Sequence, residues 1–77
     1  MKKQADTLAR EYEVGNTNED FYNYIIDSLI NGQRQQVRDL FNMMTNNGKQ
    51  DFLINHLDND RGYHISCRNI CIDELIY

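Results

Sequence analysis

The chain has 77 residues, with 8 Lys and Arg against 12 Asp and Glu, for a net charge of -4 at pH 7. That length makes one domain, and it leaves little room for both a core and a substrate pocket of ~300 Å3, which weighs against an enzyme. The acidic balance weighs against whole-molecule attraction to nucleic acid or anionic membrane, so any such contact needs a local basic patch.

Residues 1–13 are charged, with Leu8 and Tyr12 four apart and Ala5 and Ala9 interleaved. They read either as an amphipathic helix that docks weakly or as a frayed arm. The expected organisation is an arm over 1–15 and a helical domain over 16–77. Gly15-Asn16 breaks the pattern. Thr17-Asn18-Glu19-Asp20 then reads as a capping box, with Thr17 at the cap and Asp20 at the third position. The helix it opens runs to about Asn31. Phe21, Tyr24, Ile25, Ser28 and Leu29 form its core stripe, and Tyr22, Ile26 and Ile30 lie off it.

Gln33 to Thr45 is the clearest amphipath, with Val37, Leu40, Phe41 and Met44 at i, i+3, i+4 and i+7. Asn46-Asn47-Gly48 is expected to stop it. Lys49 to Asp58 predicts a shorter helix carrying Phe52, Leu53, His56 and Leu57, followed by a loop to Gly62. The last segment is expected to be helical from about Ser66, which would cap it. Cys67, Ile70, Cys71 and Leu75 form one face; Ile65, Ile72 and Ile76 form a second. The sum is an all-α domain of four to five short helices joined by Gly and Asn turns. Proline is absent, so Gly and Asn must supply the stops.

Several patterns invite chemistry. His56, His64, Cys67 and Cys71 are zinc-type ligands, but His64-x2-Cys67-x3-Cys71 lacks the paired Cys-x2-Cys knuckle. Core cysteines and surface histidines are the simpler reading. Asp58-x-Asp60-x-Gly62 resembles the start of a calcium loop, yet its glycine comes one place early and Asn69 stands where a glutamate belongs. Asn16-x-Asn18-x-Asp20 puts Phe21 in the glycine's place. His64 and Cys67 are spaced to meet on a helix, but a Cys–His nucleophile also needs an oxyanion hole. No cofactor or metal is expected.

Two readings of function are left. In the first, the final segment is apolar on more than one face, and such a helix is either central or covered by a partner. Ile65, Ile72 and Ile76, with Ile26, Ile30 and Tyr22, are the apolar surplus of a protein-docking or homodimer surface. The alternative is a helix-turn-helix centred on Asn46-Asn47-Gly48, with Gln33, Arg34, Gln36, Arg38 and Lys49 contacting nucleic acid. No run approaches the ~20 apolar residues of a membrane span, and nothing reads as a leader peptide, so a cytoplasmic protein is expected.

Asn31-Gly32, Val37, Leu40-Phe41-Asn42-x-Met44, Asp51-Phe52-Leu53-Ile54 and Arg68-Asn69-Ile70-Cys71-Ile72 together resemble small uncharacterised proteins of gut Bacteroidetes and their phages. The resemblance runs from about Phe21 to the C-terminus. It implies no activity, and it implies a cytoplasmic accessory role in the host or during infection.

Overall fold

Thr17 starts the helix around which the others pack. In a computed structural model describing residues 2–58 and 60–76, the last of these as backbone only, its hydroxyl accepts the Asp20 N–H at 3.2 Å. The Asp20 carboxylate accepts in return from the N–H groups of Asn16 at 3.0 Å and Thr17 at 3.2 Å. This is the expected capping box. The carboxylate folds directly over Gly15, where any Cβ would collide with it.

The helices are α1 (Ala5–Glu11), α2 (Asn18–Ile30), α3 (Arg34–Asn42), α4 (Asn46–Asp51) and α5 (Gly62–Ile76). A single π turn, Phe52–His56, extends α4. The architecture is a small all-α bundle. Among the described residues the one extended pairing is a bridge between Lys3 and Met44.

α2 touches α1, α3, the π turn and α5. Because neighbours surround it, its buried face is wider than one stripe. Tyr22 is 1% exposed and Ile26 6% exposed, so these two belong to the core and not to an apolar surplus. Only Ile30 of the three off-stripe residues reaches solvent, at 50%. The helix ends at Gly32, whose φ of 80° is left-handed and suits a glycine.

α1 is packed rather than splayed. Ala5, Leu8 and Ala9 are buried, and the Tyr12 ring lies 6.1 Å from Phe21 and 5.8 Å from Tyr24. The Lys3 N–H donates to the Met43 carbonyl at 2.9 Å, and the Thr45 N–H donates to the Lys3 carbonyl at 3.0 Å. Residues 2–15 therefore share one core with the rest.

α3 buries Val37, Leu40 and Phe41 as its spacing predicts, and Met44 follows them inward from just past the helix. Asn46-Asn47-Gly48 does not act as a stop. Thr45 caps a new helix there, accepting the Gly48 N–H at 3.3 Å, and the Lys3 bridge holds the reversal before it. α5 likewise begins at Gly62 rather than Ser66. Its start is fixed by the Asp58 N–H, which donates to His64 Nδ1 at 2.9 Å, and by the Ile65 N–H, which donates to the Arg61 carbonyl at 3.0 Å. Inside the bundle lie Phe21, Tyr22, Phe41, Phe52, Cys67 and Cys71. No buried side-chain nitrogen or oxygen among the described residues lacks a partner.

Candidate interaction surface

α5 lies against α3 and α2 and presents two unlike faces. Cys67, Ile70 and Cys71 face inward and are buried. Glu74 continues this side and pairs with Arg38 of α3, Oε1 to Nε 3.7 Å. The opposite side keeps Ile65 44% exposed and Ile72 39% exposed. Leu75, which its spacing assigns to the inner face, is 53% exposed. It sits a full turn beyond Cys71, near the end of the helix. The Ile76 side chain lies outside the described residues.

Tyr63, at the start of α5, is also exposed. With His64 it forms one wall of a 260 Å3 groove whose other wall is Ile26 and Ile30 of α2. Tyr63 is not legible as a helix-face residue because the expected loop-to-helix boundary at Ser66 comes four residues after Gly62, where the helix begins. Ile54, on the π turn, is exposed too, while its neighbours Phe52 and Leu57 turn inward; the stripe of Phe52, Leu53, His56 and Leu57 leaves it outside.

The five residues of the nucleic-acid alternative are not presented together. Lys49 is buried, with its ammonium 5.3 Å from the centroid of the Phe41 ring. Burial, followed by the nearby Lys2, pushes its pKa down. Gln36 donates inward to the Ser28 hydroxyl at 2.8 Å and the Tyr24 hydroxyl at 3.3 Å. Arg38 is engaged by Glu74. Gln33 and Arg34 are exposed.

The histidines and cysteines divide between two places. His56 and His64 stack with centroids 6.4 Å apart, and His56 also lies 5.1 Å from Tyr22 and 6.0 Å from Phe52. His56 Nε2 is 3.1 Å from the Asn23 side-chain oxygen. Cys67 and Cys71 are free, buried thiols. The Cys71 thiol donates to the Cys67 sulfur, and that bond, reinforced by burial, holds Cys71 far above the ordinary thiol range, so it stays protonated. Among the described residues no three His, Cys, Asp or Glu side chains converge as a metal site.

A cleft of 380 Å3 is lined by Tyr22, Thr45, Asn47 and Asp51 among others. Two of its polar groups are engaged: the Tyr22 hydroxyl donates to Asp51 Oδ2 at 2.8 Å, and Asp51 Oδ1 accepts from the Asn55 amide at 2.8 Å. Burial and the Asp51 bond push the Tyr22 phenol well up, and the Asn55 and Tyr22 bonds hold Asp51 down. At neutral pH the pair is a phenol donating to a carboxylate.

Compared with known proteins, the chain matches no family model, no curated protein and no solved structure. Its site is therefore read from geometry. No helix among the described residues is long and apolar enough to cross a membrane. Among the described residues, the outer side of α5 leaves Ile65 and Ile72 exposed.

Proposed function

We propose that this protein is a non-enzymatic interaction module, acting in the cytoplasm in an accessory role, that associates through the outer face of α5. The observation that supports it is the exposure of Ile65 and Ile72 on the side of α5 away from the buried cysteines, with Leu75 exposed on the flank between the two sides. A peripheral helix is ordinarily polar on its solvent side, and this one sets Ile65 and Ile72 there among Ser66, Asn69 and Asp73. Fully burying an isoleucine contributes roughly 1.5–3 kcal/mol. Ile65 and Ile72 each have close to half of that left to gain, which suits a modest, reversible association.

The test is native mass spectrometry of the protein, both purified and in lysate of its own cells, beside an Ile65→Asp/Ile72→Asp variant. The wild-type chain is expected in species heavier than its 9.2 kDa monomer. The variant is expected as monomer with unchanged helical circular dichroism, because both positions point away from the core. A bare wild-type monomer in both preparations would overturn the reading.

A further inference from the structure

The outer face of α5 is patterned as well as apolar. Residues 62, 65, 69, 72 and 76 follow one another at spacings of three and four, which on an α-helix draws a single line. That line lies opposite Cys67, Ile70 and Cys71. In heptad terms Gly62, Asn69 and Ile76 occupy a, while Ile65 and Ile72 occupy d. Arg61, Arg68 and Leu75 fall at g, and Ser66 and Asp73 at e. Gly62, Ile65, Asn69, Ile72 and Asp73 are all exposed, so the seam is open along the described part of the helix.

Two features of the seam say what covers it. Asn69 sits at its middle, between Ile65 and Ile72. A carboxamide both donates and accepts, so two copies of Asn69 facing each other across a two-fold axis satisfy one another. An apolar partner would leave it unpaired. A single Asn at an a position selects two parallel strands in one register. The second feature is charge. In a parallel pair, a g residue lies beside the e residue five positions further along the other helix. That places Arg68 of each copy next to Asp73 of the other. Arg68 also donates to the Leu53 carbonyl of its own chain at 3.2 Å. In an antiparallel pair g faces g, and the two Arg68 flanks would meet.

We propose that the protein forms a parallel two-fold dimer, α5 against the α5 of a second copy, with Asn69 paired across the axis. This rests on the interaction-module reading above and names its partner.

The experiment uses the full chain, keeping Cys67 and Cys71, which are buried. Ile65→Cys and Ile72→Cys are made separately and oxidised mildly, alone and mixed. The parallel dimer brings each position against itself, so each variant alone is expected to cross-link to twice the mass. Self-cross-linking absent from both, or a mixed 65-to-72 product predominating, would overturn the proposal. Sedimentation equilibrium of Asn69→Asp supplies the second arm. Two carboxylates facing each other at the axis are expected to weaken the dimer about tenfold or more while helicity is unchanged. An unaltered dimerisation constant would overturn the pairing. A purified monomer that enters a heteromeric complex lost in Ile65→Asp/Ile72→Asp would overturn the dimer and leave the interaction-module reading standing.

Discussion

Leu8→Ala is the sharpest test of how α1 belongs to the fold. Leu8 has no exposed surface, and Ala5 and Ala9 are the other buried residues of α1. Truncating a core leucine costs about 2–5 kcal/mol, from lost transfer energy plus the cavity left behind. Alanines flank the site, and α1 is tied near its start through Lys3, so the helix has some freedom to settle into the gap. The lower half of the range, about 2–3 kcal/mol, is therefore expected. Set against a total of about 4–12 kcal/mol for a chain of this length, that is a large fraction. At about 4–8 °C per kcal/mol, the unfolding midpoint should fall by about 10–20 °C. Urea and thermal unfolding followed by circular dichroism measure both. A loss under about 0.5 kcal/mol, the size of an ordinary surface change, would refute the reasoning and make α1 a frayed appendage.

Two further outcomes follow from the caps and the histidine stack. Thr17→Ala removes the hydroxyl that accepts the Asp20 N–H and should cost about 1 kcal/mol in chemical unfolding; no measurable change would mean that the α2 cap does not contribute. The pH profile of stability should fall in two stages on acidification. Burial, followed by the neighbouring His64, holds His56 below the ordinary imidazole range. The unfolded chain then takes up the proton first, so this contribution is whole above about pH 6.5 and is lost as pH falls through the folded pKa. Asp20, through the Asn16 and Thr17 bonds, and Asp51, through Asn55 and Tyr22, are held below the carboxylate range. Their contribution is whole above about pH 4 and is lost below it. His56→Phe should erase the first stage and leave the second; an unfolding free energy flat from neutrality to pH 5 in the wild-type chain would contradict the placement of His56.

Where the controlling interaction is local, the chain's own order was enough to read the structure. The α2 cap needs only Thr17 and Asp20, three residues apart, and its end needs a left-handed residue that Gly32 supplies. The inward face of α3 needs only the spacing of Val37, Leu40, Phe41 and Met44. The apolar character of both sides of α5 is also a local fact, and it carries the functional reading.

What the tertiary structure decided depends on neighbours distant in sequence. Whether Tyr22 and Ile26 are surface or core turns on α2 being surrounded, and periodicity along one helix cannot count its neighbours. Asn46-Asn47-Gly48 looked like a stop because Asn and Gly end helices as readily as they occupy a first turn. Lys3, far away in sequence, holds the reversal that lets Thr45 cap α4. Lys49 and Gln36 lost their place on a basic surface for the same reason: Phe41, Tyr24 and Ser28 draw them inward. Local propensity and spacing are written residue by residue along the chain. Burial is a property of what packs on top, and only the assembled bundle shows which side of α5 nothing covers.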